Sequence, residues 1–99
     1  MPFIQIIDFT TSRFEEGDKL VQQYRADVGD RGKGRRGTVC KDRDQENHYV
    51  SIIEFDSYEE AMKNSSDPVT SQYALNMGEL LEGPPIYHNL DVLSVMQVR

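Results

Sequence analysis

Residues 48–65 read HYVSIIEFDSYEEAMKNS and join a strand directly to a helix. Residues 48–55 are mostly β-branched or aromatic, which is the composition of a β-strand. Ser57 and Glu60 then form an S-x-x-E capping box, in which each side chain bonds a free amide of the first helical turn. The stretch therefore predicts a strand that ends at Phe55, followed by a helix over about 58–64.

The segments before this stretch predict a strand, a helix and a second strand. FIQIIDF, residues 3–9, is an apolar run of strand length. A second S-x-x-E pattern at Ser12 predicts a capped helix over about 13–28, where apolar residues recur at helical spacing. TVCKDR, residues 38–43, predicts a strand that pairs with 48–55 as a hairpin, because the DQEN tetrad between them has the composition of a turn.

The segments after this stretch predict another helix and a last strand. Asp67 and Pro68 have the residue types of an N-cap and a first helical position, and Gly83 with two following prolines would end the helix. IYHNLDVLSVMQV, residues 86–98, predicts a long last strand. The order β-α-β-β-α-β predicts an α+β, ferredoxin-like domain over 1–99, with a four-stranded antiparallel sheet and both helices on one face.

Both faces of the predicted sheet carry apolar residues, whereas an antiparallel sheet with one face in water usually alternates. In residues 3–9, Phe3 and Ile7 share one parity, and Ile4 and Ile6 share the other. Two helices can cover only one face, so the other face needs a partner. A second copy of the same sheet is the simplest partner, and we expect a homodimer formed through the sheet face.

The composition is that of a soluble globular protein. Of the 99 residues, 28% are charged and 37% are apolar. No apolar run approaches the roughly 18–20 residues needed to span a membrane, and the N-terminus does not resemble a signal peptide. Cys40 is the single cysteine, which excludes a disulfide framework or a thiolate zinc site within one chain. We expect a cytoplasmic protein that does not bind membranes.

Residues 29–37, GDRGKGRRG, contain the spacing G-x-G-x-x-G. The dinucleotide-binding fingerprint requires a strand before the glycines and a helix after them, and here the order is reversed. The stretch therefore predicts an exposed basic loop, with an electrostatic collar for an anionic ligand as the alternative. Because the net charge of the chain is −6, we expect no nucleic-acid partner.

The predicted order of elements, the two apolar sheet faces and the segments 48–65 and GPPIYHNLDVL resemble the dimeric α/β-barrel superfamily. Within it, they are most similar to the antibiotic biosynthesis monooxygenase-like (ABM-like) domains. In those domains a strand of the form xYVxIxEF runs directly into a helix of the form SYEEAMxxS, and a long final strand crosses into the partner. The resemblance covers nearly the whole chain and implies a ferredoxin-like subunit in a dimeric α/β barrel.

The superfamily contains proteins with several functions, because a fold does not fix a reaction. Its haem-degrading members use a helical histidine together with a tryptophan and an asparagine, whereas this chain has no tryptophan and no histidine in 68–82. We expect no cofactor and no metal. Two hypotheses remain: a cofactor-independent monooxygenase or isomerase-like enzyme that binds an aromatic or polyketide-like molecule, and a non-catalytic ligand-binding or stress-related interaction module.

The candidate site residues are side chains with hydrogen-bonding or soft groups on segments otherwise suited to burial. Tyr73, Asn76 and Met77 have the spacing i, i+3, i+4, so they share one helix face, which forms either core or the roof of a pocket. Histidine carries protons near neutral pH, although a structural role for His88 is the alternative. The candidate catalytic residues are His88, Tyr73 and Asn76, and the candidate ligand-binding residues are Gln5, Met77 and Tyr87.

Two further polar residues are expected to have no site role. Asp8 lies near the end of the first strand and His48 directly follows a turn, so we expect both side chains to be exposed to water. An apolar pocket of at least about 300 Å³ between helix and sheet would favour the enzyme hypothesis. A fully packed interface would favour the interaction module.

Overall fold

The structure, a computed structural model, describes residues 1–98 of the chain, so the last residue of the predicted domain lies outside the described residues. Its regular elements confirm the predicted ferredoxin-like order, and both helices predicted between residues 57 and 83 are present. They are β1 (Phe3–Thr10), α1 (Phe14–Val28), a 3-10 turn (Gly29–Arg31), β2 (Gly34–Lys41), β3 (His48–Phe55), α2 (Tyr58–Ser66), α3 (Pro68–Gly78) and β4 (Ile86–Asp91). Within 1–98, no helix combines the length and the apolar character needed to cross a membrane.

The four strands form one antiparallel sheet in the order β2-β3-β1-β4. The central strand β1 therefore pairs with β3 on one side and with β4 on the other. Phe3 lies opposite Phe55, and Asp8 lies opposite Val50 and Ile86. Because residues directly opposite each other share a face of the sheet, this register assigns every strand residue to one face.

The buried core lies where α2 packs on the sheet. Phe3, Phe55 and Ala61 form the buried apolar cluster. The ring of Tyr58, the first residue of α2, meets the ring of Phe3 edge to face, with centroids 5.4 Å apart. The face that carries Phe3 is therefore the helix-covered face, and the face that carries Asp8 is the helix-free face.

A second aromatic cluster holds the start of α1 against the other end of the helix-covered face. Phe14 stacks on Tyr49 with ring centroids 4.5 Å apart, and Tyr49 stacks on Phe9 at 5.7 Å. Such offset or stacked aromatic pairs contribute roughly 0.5–1.5 kcal/mol beyond the area that they bury. The two aromatic clusters thus fix the helical layer at both ends of the central strands.

Two of the three predicted helix caps are confirmed. Ser57 accepts a hydrogen bond from the Glu60 amide at 3.1 Å, and Asp67 accepts one from the Val69 amide at 2.9 Å. The predicted capping box at Ser12 is wrong, because α1 starts without a side-chain cap. The buried hydroxyl of Thr11 turns the chain there instead: it donates to the carbonyl of Leu80 at 2.6 Å and accepts from the next turn.

Two strand boundaries differ from the sequence prediction. β2 begins at Gly34, so half of the predicted basic loop is an edge strand. β4 ends at Asp91, and residues 92–98 have no regular structure, although a strand over 86–98 was predicted. The Val92 amide still bonds the Pro2 carbonyl at 2.9 Å, but Pro2 has no amide to donate in return, so the ladder between β1 and β4 ends there.

The chain exposes more surface than a compact monomer of its mass. Its accessible surface is 7390 Å² for 11.4 kDa, whereas the scaling for monomeric proteins gives about 5,800 Å². Its radius of gyration is 13.9 Å, against about 12.6 Å for a compact domain of this length. Part of the excess lies in residues 92–98, where Leu93 is 87% and Met96 78% exposed.

The basic stretch 29–37 is fixed to the rest of the chain by ion pairs rather than left free in solvent. Each of its four cations lies near a carboxylate, and all four cationic side chains are largely exposed. The pairs are Arg31–Asp67 at 3.0 Å, Lys33–Glu60 at 3.9 Å, Arg35–Asp56 at 3.3 Å and Arg36–Glu54 at 2.6 Å. The pairs tie the start of β2 to the end of β3 and to the first turns of α2 and α3.

We expect the substitution Arg36→Ser to lower the melting temperature slightly at low ionic strength. The difference should shrink in about 0.5 M NaCl, because salt screens exposed charges within a few ångströms. Arg25→Ser is the matched control, since it removes the same charge from an exposed position on α1. Thermal melts of the three proteins at low and high salt test this. A decrease in the melting temperature of Arg36→Ser that is the same at both salt concentrations would contradict an electrostatic role.

Candidate functional site

The middle of the helix-covered face is polar and incompletely covered. Between the two aromatic clusters, Gln5 lies opposite Asn89, and Ile7 lies opposite Ser51 and Tyr87. None of these five residues is buried. A tightly packed helix–sheet interface would bury such positions, so solvent reaches this region, which we call the helix–sheet cleft.

Two of the cleft's polar groups bond each other. The Gln5 side-chain amide donates to Asn89 Oδ1 at 3.1 Å, across the pairing of β1 with β4. Gln5, a predicted ligand-binding residue, therefore lies on the helix-covered face as part of an amide pair. Tyr87, the next cleft residue along β4, is 51% exposed. Both residues lie on the sheet face where the ligand-binding residues were predicted.

Tyr73 is held in a fixed position at the cleft by α1. Its ring stacks on Tyr24 with centroids 4.4 Å apart and an interplanar angle of 22°. The Tyr24 hydroxyl in turn lies 2.8 Å from the Thr70 hydroxyl, which joins the two helices one turn away. A stacked aromatic pair with a hydrogen bond beside it leaves the Tyr73 ring little rotational freedom, and this rigidity suits a binding surface.

The chemistry of Tyr73 follows from its burial. Burial, together with smaller contributions from the nearby phenols of Tyr24 and Tyr87, whose charges would repel its own, raises the pKa of the Tyr73 phenol to about 12. Tyr73 therefore stays neutral at physiological pH. It can donate a hydrogen bond to an oxygen atom of a ligand, but it cannot serve as a base near neutrality.

Asn76 and Met77 point to the contact between α1 and α3 rather than to the sheet. The Met77 sulfur lies 3.4 Å from where a Cβ on Gly17 would be, so the end of the Met77 side chain packs against α1 at this glycine. Asn76 accepts a hydrogen bond from Gln72 at 3.0 Å and borders a shallow depression of about 290 Å³. The other residues lining it are Glu16, Leu20, Glu79 and Leu80.

Another depression, of about 350 Å³, is lined by residues 12–16 at the start of α1. Both depressions are open to solvent, and neither is lined by strand residues. Asn76 therefore does not roof the helix–sheet cleft together with Tyr73, although the sequence spacing placed them on one helix face. Within residues 1–98, no cluster of three or more His, Cys, Asp or Glu side chains has the arrangement of a metal site.

His88 lies on the face opposite to Tyr73. It pairs with Ile6, so its side chain belongs to the helix-free face, and its Nε2 lies 3.7 Å from Asp8 Oδ2. The candidate catalytic residues His88 and Tyr73 therefore lie on opposite sides of the sheet, because successive strand residues point to opposite faces. Of the two residues proposed from β4, only Tyr87 lies on the same face as the cleft.

A polar cluster on the helix-free face was not predicted. His48 Nδ1 lies 2.8 Å from Asp42 Oδ2, and His48 Nε2 bonds Asp8 Oδ1. With His88 on the other oxygen of Asp8, these four residues form what we call the His48 cluster. The side chain of His48 is only 18% exposed, so the expectation that Asp8 and His48 are separate, exposed residues is wrong.

The carboxylates around His48 favour its protonated form. The hydrogen bond with Asp42 is the main cause that raises the pKa of His48, and Asp8 adds to the effect. The hydrogen bond from the Asp44 amide lowers the pKa of Asp42, and the hydrogen bond with His48 lowers it further. The parity of the strands could have suggested this cluster only if the register of three strands had been known, because its members are distant in sequence.

The burial of Tyr73 predicts a loss of stability at alkaline pH. A phenol whose pKa is raised in the folded state contributes stability that is lost as pH rises above the unfolded value of about 10. Between pH 9 and 11, the free energy of unfolding measured in urea should fall by about 1–1.5 kcal/mol more for the wild type than for Tyr73→Phe, which has no phenol at this position to titrate. Equal losses in the two proteins at one fixed protein concentration would contradict the buried phenol.

Among the comparisons with known proteins, only the one with solved structures found matches. No protein-family model and no curated protein matches the sequence. SnoaB, a cofactor-independent oxygenase from Streptomyces nogalater, matches with a TM-score of 0.80 and 16% identity over 96% of both chains. Rv0793 from Mycobacterium tuberculosis matches with a TM-score of 0.78 and 17% identity, over 98% of this chain and all of that one.

A third structure, described as an antibiotic biosynthesis monooxygenase, matches with a TM-score of 0.73 and 10% identity. It covers 95% of this chain and 100% of its own. Likeness at such low identity concerns the backbone alone and leaves the reaction open. It confirms the resemblance stated from the sequence at the level of architecture: this chain has the fold of the antibiotic biosynthesis monooxygenase domain proteins.

Proposed function

We propose that this protein is a homodimer in which each subunit binds a small aromatic or polyketide-like molecule in the helix–sheet cleft and oxygenates it without a cofactor. The observation that carries the proposal is the tyrosine pair beside the cleft. Tyr24 holds Tyr73 in place by stacking, and Tyr87 approaches from the sheet. Aromatic surfaces with few polar groups are typical of sites for small organic ligands.

The cleft offers a flat ring system both apolar contact and hydrogen bonds. The tyrosine rings supply faces and edges for an aromatic ligand, and the Gln5–Asn89 amide pair supplies donors and acceptors at the sheet. Ile7 and Ser51 form part of the surface beneath. A planar molecule would lie against this surface with one edge at the amide pair.

Tyr73 has the protonation state that such a reaction needs. Reaction of a phenol with O2 requires stabilisation of the negative charge that develops on the phenol oxygen. With a pKa of about 12, Tyr73 keeps its proton and can donate a hydrogen bond to that oxygen. The solved neighbour SnoaB is described as a cofactor-independent oxygenase, which makes this reaction class the first to test.

The second candidate function is binding without catalysis, as expected of a ligand-binding or interaction module. It is favoured by the position of the histidines. Both histidines of the chain belong to the helix-free face, so neither supplies a base to the cleft. A ligand that is not already ionised in solution would then bind without reacting.

We expect Tyr73→Phe to weaken binding of 1-naphthol, a fluorescent bicyclic phenol, by about three- to tenfold. The substitution removes one hydrogen bond while it keeps the stacking ring, and a hydrogen bond is worth about 0.5–1.5 kcal/mol net. Tyr58→Phe, at the other end of the sheet, is the matched control and should bind as the wild type does. Fluorescence titration measures the affinities. Equal affinity of the wild type and Tyr73→Phe would contradict the site.

A second experiment with 1-naphthol separates the two candidate functions. Incubation of the protein with 1-naphthol under labelled O2, followed by mass spectrometry, detects oxygen transferred to the ring. Incorporation that depends on the protein and falls in Tyr73→Phe supports oxygenation. Binding without incorporation, for 1-naphthol and for more easily oxidised dihydroxynaphthalenes, supports the non-catalytic function.

The homodimer is proposed on the basis of surface area and composition. The accessible area exceeds that of a compact monomer by about 1,600 Å², and a standard interface buries about 800 Å² per partner. The helix-free face carries a continuous group of apolar residues around its centre. They are Ile4, Ile6, Val50, Ile52, Ile86 and Leu90.

The occupant of this face that best fits these features is a second copy of the chain. Isologous packing would place one apolar sheet face on its copy, as two sheets pack in a sandwich. The exposed apolar residues of 92–98, directly after β4, would lie against the partner. This arrangement would cover both sources of excess apolar surface at once.

We expect sedimentation at micromolar concentration to give twice the mass of one chain. Leu90→Glu should shift the protein to monomer, because it places a charge on the apolar face, where Leu90 on the edge strand β4 is 44% exposed. Leu75→Glu is the matched control, since Leu75 on α3 is 67% exposed on the helical side and should leave the dimer intact. A wild-type protein with the mass of one chain would contradict the proposal.

A further inference from the structure

The chain has two histidines, and both contact the same carboxylate on the helix-free face. His48 bonds one oxygen of Asp8, and His88 lies 3.7 Å from the other. Asp42 bonds the second ring nitrogen of His48 at 2.8 Å. The side chains most suited to titrate near neutral pH are thus gathered at one end of the face that we propose to be the dimer interface.

The His48 cluster adjoins the apolar surface directly. Asp8 lies between Val50 and Ile86 in the register, and His88 lies beside Ile6. A second sheet seated on these apolar residues would also take the cluster further out of water. Burial of a charge is costly unless a charge of opposite sign compensates it, so the protonation state of the cluster bears on association.

The other charged groups near this face have partners of their own. The two histidines are therefore the groups that can neutralise the aspartates of the cluster. The Asp44 amide and the Gln45 side chain bond Asp42 from the turn. At the opposite end, Arg36 from β2 and Glu54 from β3 compensate each other at 2.6 Å. The thiol of Cys40 is the remaining titratable group that the register places on the face, beside Val50.

The charge of the cluster depends on how many protons the histidines carry. With both histidines neutral, Asp8 and Asp42 leave it with two negative charges. One proton on His48 reduces this to one negative charge, and a second proton on His88 makes the cluster neutral. Two copies brought together across an interface would repel each other least when the histidines are protonated.

We propose that the His48 cluster is a proton-linked lock on the dimer: two sheets associate tightly when the histidines are protonated and loosen as these protons leave. This inference rests on the proposed homodimer and adds a regulation of it. Protonated histidines would compensate the two aspartates at the moment when association removes them from water. Deprotonation would leave two uncompensated carboxylates per subunit at the interface.

The sign of the pH dependence follows from linkage. The bond with Asp42 already raises the pKa of His48 in the single chain, although burial alone lowers it. On association, removal of water strengthens the attraction of Asp8 and Asp42 for the proton, and we expect this attraction to exceed the added cost of burial. The dimer then binds more protons than two separate chains, so its dissociation constant rises with pH. The effect sets in as pH rises above the ordinary histidine pKa of about 6.5.

Sedimentation equilibrium of the wild-type chain at pH 6.5 and pH 8.5 tests the lock. We expect the dissociation constant to rise by about tenfold or more between the two, since one net proton taken up per dimer gives up to about tenfold per pH unit. The double variant His48→Gln/His88→Gln should lose most of this dependence, because it has no histidine to titrate.

Asp8→Asn gives an independent test that does not require the double variant to fold. It removes one negative charge from the cluster, so at pH 8.5 it should dimerise more tightly than the wild type. Asp18→Asn removes the same charge from an exposed position on α1 and should not. A variant that merely lost a structural contact would instead dimerise more weakly.

The possible results separate the lock from the dimer. A dimer with the same dissociation constant at both pH values, or tighter association of Asp18→Asn equal to that of Asp8→Asn, overturns the lock and leaves the homodimer standing. A single-chain mass at both pH values, at the highest concentration reached, overturns the homodimer and the lock together. Ligand binding in the cleft is measured separately and is affected by neither result.

Discussion

The structure depends on the position of β1 at the centre of the sheet. Residues 3–8 of this strand lie opposite residues of both β3 and β4, so their alternation assigns both neighbours to one face or the other. Phe3 anchors the helix-covered face through Phe55 and Ala61, and Asp8 marks the helix-free face. A shift of β1 by one residue would exchange the aromatic core with the isoleucines and the His48 cluster, so the register is strongly specified.

The sequence was sufficient for features that depend on neighbouring residues. The order of elements, the hairpin of β2 and β3, and the caps at Ser57 and Asp67 follow from local composition and spacing. The failure at Ser12 has a cause that is not local: a capping box competes there with Thr11, whose hydroxyl reaches Leu80 about seventy positions away. That distant partner decided the turn, and no window of sequence contains it.

The candidate site was only partly predictable, because it depends on which parity of each strand meets the helices. The sequence grouped His88 with Tyr73, but the register places Tyr87 on the helix-covered face and His88 on the other. Spacing also grouped Asn76 with Tyr73, although the packing of α3 along α1 turns Asn76 toward the groove between the helices. The His48 cluster draws on β1, β3, β4 and the turn after β2, so it becomes visible only in three dimensions.

The edge strand β2 bears on how the protein avoids polymerisation. Its eight residues are all exposed, and such an edge can template pairing with the strands of other molecules. Here the ladder is interrupted between Gly34 and Arg36, and this bulge bends the strand away from a flat edge. Arg35 and Arg36, each paired with a carboxylate, place charged groups at the same edge, and a second strand could pair there only by taking them out of water. The bulge and these charges thus disfavour growth into fibrils along β2.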